Sequence, residues 1–261
     1  MNNRLSVFFL VFSLLVIVTI IVLSNMSGYE NAEFWSVELN FIITSILLIV
    51  CIVNNFKIGK GGKHGQSWLF FTLAIALWYT AERIWTIPEL TNSDSVFSYA
   101  DLFWFSGYVF YFLFGVMYLK PFSSQISRKN ILSTSLSVVV VLIFIFYIIM
   151  PSSNISENIL NASYPVADSF MLIPSILGIF LFFKGRTKFS WSLLFFGMLV
   201  FVGSDFGFMY FNSTGDYYEG HLIDIPYLYA YSIFIAGLIA NLNLWNKTNK
   251  NKPFHEQDKL I

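Results

Sequence analysis

Apolar runs recur along the whole chain, separated by short polar stretches, near 5–24, 38–54, 67–87, 99–119, 131–150, 165–183, 190–211 and 223–244. A hydrocarbon core about 30 Å thick is crossed by about 20 helical residues, so the pattern predicts an all-α polytopic membrane protein with eight transmembrane helices. The first run, Leu5 to Ser24, follows a single Arg4. Its apolar stretch exceeds the roughly 7–15 residues of a signal-peptide core and no small-residue cleavage site follows it, so it reads as a helix that stays in place. Pro174 falls inside the sixth run, where it removes one amide and frees the carbonyl one turn earlier. Such a residue either lines a cavity or is tolerated because neighbours satisfy the freed group.

Composition agrees with lipid as the solvent. Hydrophobic residues make up 56% of the 261 residues and charged residues only 11%, against about a quarter charged in soluble domains. The single cysteine, Cys51, lies in the second run, which excludes an intrachain disulfide.

Charge placement changes the picture from spans to topology. Fourteen of the 15 basic residues fall at Arg4, in alternate loops (Lys57, Lys60 and Lys63; Lys120, Arg128 and Lys129; Lys184, Arg186 and Lys188) and in the tail from Lys247. An excess of Lys and Arg marks cytoplasmic loops, so both termini are expected in the cytoplasm of a cell whose plasma membrane the chain crosses. Residues 1–246 then form one transmembrane domain and 247–261 a basic tail. Thirteen of the 15 acids lie in outer loops or outer helix halves. Either the outer face concentrates cations, or acids are simply kept from the basic side. Sequons at Asn25, Asn154, Asn161 and Asn212 also fall in expected outer loops.

The chain matches itself. At an offset of 123, Trp68 falls on Trp191, Glu82 on Asp205, Asp101 on Asp224 and Tyr108 on Tyr231; at 130, Glu38 falls on Asp168 and Ser45-Ile46-Leu47 on Ser175-Ile176-Leu177. Repeats of about 1–120 and 121–246 are separated by four spans, an even number. They therefore run parallel and are related by an axis along the membrane normal. Parallel repeats lack the inverted symmetry of many carriers, which disfavours transport without excluding it.

Three acidic pairs survive this duplication. Glu38, Asp101, Asp168 and Asp224 sit at the expected beginnings of inward-running spans, where a carboxylate meets free amides and the positive end of the helix dipole. Ser98-Tyr99-Ala100-Asp101 reads as a capping box, and Pro165 and Pro226 suit first turns. Glu82 and Asp205 have no such explanation, because they come late in their spans, where the dipole disfavours negative charge. Each is 14 residues beyond a Trp at the inner interface, a rise of about 21 Å that leaves it inside the core. An ionisable group there is a functional candidate by default. The structural alternative is a buried ion pair with Arg83 that only holds the bundle together.

Aromatic residues crowd the same end: Trp35, Trp85, Tyr99, Trp104, Tyr108 and Tyr164, then Tyr210, Tyr217, Tyr218, Tyr227, Tyr229 and Tyr231. They read as an interface belt, or with the carboxylates as a box for an organic cation. Histidine occurs only at His64, His221 and His255. No His-rich metal site forms inside a bundle from these, although His221 and Asp224 could share a metal with other acids. No phosphate loop, hydrolase triad or nucleic-acid module is present, and neither a cofactor nor a nucleic-acid partner is expected.

The stretches Ala81-Glu82, Ser98-Tyr99-Ala100-Asp101 and Gly107-Tyr108, with Tyr164-Pro165-Val166-Ala167-Asp168, Gly203-Ser204-Asp205 and Asp224 onward, resemble a known membrane module. It is the multi-helix sensory region found at the N-termini of prokaryotic diguanylate cyclases and histidine kinases. The resemblance implies signal reception at the outer side and transmission to a cytoplasmic enzyme. No output domain follows here, so the partner would be a separate signalling protein or a membrane subunit. A weaker likeness, through Glu82, Gly203-Ser204-Asp205 and the span count, is to the eight-helix lysoplasmalogenase group of intramembrane hydrolases. It implies that Glu82 and Asp205 act as acid and base on a lipid head group. The expectation is thus a binding or sensory membrane protein with Glu82, Asp205 and Arg83 at its centre and Glu38, Asp168, Asp101 and Asp224 around them. A lipid-modifying enzyme is the alternative, and a proton- or cation-coupled carrier the third reading.

Overall fold

The computed structural model describes residues 3–58, 62–87, 97–148, 155–182 and 189–250. The sequon at Asn154, Lys60, the cluster Lys184, Arg186 and Lys188, and the chain after Lys250 with His255 lie outside them. The described residues form eight α-helices: α1 (Asn3–Met26), α2 (Tyr29–Ile58), α3 (Gly62–Trp85), α4 (Tyr99–Leu119), α5 (Arg128–Ile148), α6 (Ile155–Phe182), α7 (Phe189–Thr214) and α8 (Asp224–Lys250). A short 3-10 turn, Lys120–Gln125, follows α4, and no strand occurs among the described residues.

Seven of these helices, all but α3, are long and apolar enough to cross a membrane. The protein is therefore a multi-pass, all-helical membrane protein. α3 has the length, 24 residues, but its three Trp residues, Tyr79, Glu82 and Arg83 dilute its apolar character. It compensates by burial: Trp68, Phe71, Ala74, Ile75, Trp78 and Ala81 are all enclosed.

Burial is distributed as lipid solvation requires. α1 and α5 are each only 17% buried and present Phe8, Phe12, Leu15, Leu132, Leu136 and Phe144 outward, whereas α8 is 67% buried. α3 packs most closely on α4 and α7 on α8; α2 touches α3 and α8, while α6 touches α7 and α4. α1 lies against α2 and α8, and α5 against α6. The core is aromatic. The rings of Trp68 and Trp191 are 4.7 Å apart, Phe71 and Phe234 5.7 Å, and Trp78 and Phe201 5.0 Å and nearly parallel.

Two helices begin earlier than their apolar runs. α2 starts at Tyr29, straight after Gly28, whose φ of +112° makes the tight turn from α1. α6 starts at Ile155. Polar residues continue a helix past the apolar boundary without penalty where water or protein satisfies them. Glu38 and Asp168 are therefore interior helix residues, and capping is not their role. Pro165, expected in a first turn, is likewise inside α6, and Ser169 donates to its carbonyl at 2.7 Å. Pro174 does not open a gap toward α4: a side chain at Gly115 would meet its ring at 2.6 Å, so the two helices touch there.

Candidate functional site

One end of the bundle is assembled from the α1–α2 turn, the C-terminal end of α3, the start of α4 and the α7–α8 loop. Gly220 (φ +88°) brings that loop against the backbone of Ala32. Asn25 fastens it, donating to Ile21 O and to Gly220 O at 2.7 Å and accepting from the Tyr218 hydroxyl at 2.6 Å. With both amide hydrogens engaged, the Asn25 sequon is committed to the fold.

Beneath this loop lies a cavity of about 490 Å³. Glu82, Asp101, Asp205, Glu219 and Asp224 line it, with Trp78, Trp85, Trp104, Tyr108, Tyr164, Phe201, Phe208, Tyr217 and Tyr227, and no Lys, Arg or His does so among the described residues. Asn161 and Asn212 also line it. Pro165 frees the carbonyl of Asn161, one turn earlier.

Glu82 comes one turn before the end of α3, and Asp205 in the second half of α7. Tyr108 of α4 donates to Asp205 Oδ2 at 2.9 Å, and Tyr231 of α8 donates to Glu82 Oε1 at 3.3 Å. Each helix pair thus supplies the hydroxyl for the carboxylate of the other pair. Asn40 donates to Glu82 Oε2 at 3.1 Å and accepts from the Arg83 guanidinium. The link from Arg83 to Glu82 runs through this amide. The guanidinium itself lies over the rings of Phe41 and Tyr79, 5.1 and 5.4 Å from their centroids, a cation–π arrangement.

Asp101 and Asp224 are held differently. Asp101 accepts from Ser98 N at 2.6 Å, from the Ser98 hydroxyl at 3.0 Å and from the Tyr164 hydroxyl; with Asp101 N–H donating to Ser98 Oγ, the capping box is complete. Asp224, first in α8, accepts from Gly220 N at 2.8 Å, from Ser36 Oγ at 2.9 Å and from the Tyr217 hydroxyl at 3.4 Å. One backbone amide, one serine and one tyrosine hold each of these carboxylates in place.

Asp168 is fully enclosed beside Asp205 and Tyr108, and neither of its oxygens makes a well-formed hydrogen bond. It stands behind the cavity wall, not on it. Glu38 is half-buried on α2 and does not line the cavity.

Outside the spans, Glu219 accepts from the Trp85 indole at 3.1 Å. Its burial pushes its carboxyl above the usual glutamate range; the Trp85 bond opposes this, and the nearby charges of Glu33 and Asp224 add to it. Burial also pushes the Tyr217 hydroxyl upward, with Asp224 reinforcing the effect.

Asn40, Ser36 and Glu219 were not singled out by the sequence pattern. An amide inside an apolar span is a signal of polar packing, and Asn40 carries it. Trp35, Tyr99 and Tyr210, by contrast, are exposed at the surface, as a belt requires. Among the described residues no three His, Cys, Asp or Glu side chains come together to hold a metal ion. No family model, curated protein or solved structure matches the chain.

Proposed function

We propose that this is a plasma-membrane binding or sensory module that takes a cationic ligand into the acidic cavity and acts through a cytoplasmic signalling protein or membrane subunit. The observation that carries the reading is the convergence of five carboxylates and nine aromatic rings on one cavity whose described lining holds no basic side chain. Buried negative charge calls for compensation. Arg83, the nearest cation to Glu82, reaches it only through Asn40, its guanidinium lying over the rings of Phe41 and Tyr79.

On this reading the bundle is eight spans in two parallel repeats, with the cavity outside and both termini in the cytoplasm. Residues 123 apart supply support: Trp68 packs against Trp191, Trp78 stacks on Phe201, and Tyr108 and Tyr231 exchange bonds with Asp205 and Glu82. The pairing of α2 with α8 is matched by that of α6 with α4. Further support comes from α3, whose end meets the α7–α8 loop through Trp85 and Glu219. Likeness to the sensory regions of diguanylate cyclases and histidine kinases agrees with reception at this end.

Purified protein in lipid nanodiscs, titrated with ammonium compounds and followed by tryptophan fluorescence, tests the proposal. Saturable quenching that Glu82→Gln with Asp205→Asn abolishes is the expected result. Turnover of lipid extracts sensitive to the same double change would replace the binding reading by the lysoplasmalogenase-type hydrolase, and cation flux in proteoliposomes by the carrier.

A further inference from the structure

We infer that the cavity takes a linear diammonium compound, a short diamine or polyamine, with one ammonium at the floor between Glu82 and Asp205 and the other at Glu219 near the mouth. The inference rests on the cation-binding reading and specifies its ligand.

Acceptor capacity separates the five carboxylates. An ionised carboxylate offers about four lone-pair sites. Asp101 and Asp224 each accept from three donors that also fasten the starts of α4 and α8. Glu82, Asp205 and Glu219 instead meet only side chains, Asn40 and Tyr231, Tyr108, and Trp85 respectively, and fasten no helix start. The carboxylates not spent on a helix start are therefore at the floor and at the mouth.

Asp168 is an independent pointer to a cation. It is 0% exposed, its carboxyl is set against Asp205 and Tyr108 of the floor, and neither of its oxygens makes a well-formed hydrogen bond. Two adjacent carboxyls with no basic side chain beside them hold either one proton or one cation between them, and an ammonium supplies the cation.

The two levels fit one short ligand. Trp85, which holds Glu219, is three residues beyond Glu82 on α3, a rise of about 4.5 Å. A chain of about four methylenes spans that separation with room for the side chains. Between the levels the wall is aromatic, including Trp85, Trp104, Tyr217 and Tyr227. Ring faces accept both methylenes and ammonium groups. At about 490 Å³ the space falls in the range of small-molecule pockets, about 300–1,000 Å³, and exceeds what a bare metal ion fills.

The test uses the wild-type protein in nanodiscs with butylamine, linear diamines of three to six methylenes, spermidine, and sodium or magnesium chloride at matched ionic strength. Tryptophan fluorescence reads binding, and Trp78, Trp85 and Trp104 line the cavity. A diamine near four methylenes is expected to bind about fivefold to tenfold more tightly than butylamine. Glu219→Gln, a change in a loop, should bring the diamine close to the butylamine level and so remove most of the difference between the two amines. Asp205→Asn should weaken both. Equal affinity for monoamine and diamine, or an equal response to the inorganic salts, overturns the diammonium assignment while cation binding stands. No response to any amine overturns the binding reading with it.

Discussion

Asp168 is fully enclosed, yet neither carboxylate oxygen makes a well-formed hydrogen bond, whereas buried polar groups are nearly always paired. A buried polar group without a well-formed partner costs about 1–3 kcal/mol. Asp168→Leu is accordingly expected to raise the free energy of unfolding by about 1–3 kcal/mol while weakening ammonium binding, the trade expected of a residue kept for function. Chemical denaturation in nanodiscs measures the first and fluorescence titration the second; a destabilised Leu variant would make Asp168 a scaffold residue. Glu219 carries a pH prediction. Burial raises its folded pKa, so its contribution to stability is fully present below the unfolded value near 4.3 and is lost as pH rises through the higher folded value. Wild type should lose stability relative to Glu219→Gln as pH rises from about 4 through the raised folded pKa, while its diamine affinity rises over the same window. Parallel unfolding curves at every pH would contradict this. At this scale the sequence was most legible at Glu82 and Asp205, acids late in their apolar runs that the fold brings onto one cavity. Around Glu38 it was not: successive helix residues turn by about 100°, so Glu38 and Asn40 face different ways, and Asn40 is the one that reaches Glu82.

Among elements, the contact of α3 with α4 shows how unequal residues fill equivalent space. At Gly107 of α4 a side-chain carbon would stand 2.3 Å from the Trp78 indole nitrogen, which donates to Trp104 O at 3.2 Å. The residues 123 further on are Ala230 and Phe201: where the ring is smaller, the facing residue is larger by a methyl group. Gly107→Ala should therefore displace Trp78 and cost about 1–3 kcal/mol, as overpacking does. Adding Trp78→Phe should recover part of that loss, a coupling readable in a double-mutant cycle; strictly additive effects would refute it. Helix existence and order were legible in the apolar runs, and the capping box at Ser98 and Asp101 was legible in four letters. The starts of α2 and α6 were not, because hydropathy reports where lipid ends and a helix ends where its backbone bonds end.

For the whole molecule, the aromatic core joins the cavity to the opposite end. Trp78 stacks on Phe201 at the floor, Phe71 and Phe114 follow, and Trp68, Trp191 and Tyr118 close the column, the last two with ring centroids 3.9 Å apart. Such a packed column is a physical route by which occupancy at one end could be felt at the other. Its direction across the membrane depends on the side of the N-terminus. The end of α1, the end of α3 and the α7–α8 loop share one end of the bundle, so if α1 crosses from a cytoplasmic N-terminus, the α7–α8 loop is outside and the turn after α4 inside; with the N-terminus outside, both assignments invert. Ser124 and Asp216 are exposed in these two segments, and the native Cys51 is buried, so single cysteines placed there can be read against a silent background. In intact cells a membrane-impermeant maleimide should label Asp216→Cys and leave Ser124→Cys unmodified until the cells are opened. The reverse pattern would put the N-terminus outside and the cavity on the cytoplasmic side, with its acidic end facing the interior where the basic loops were expected.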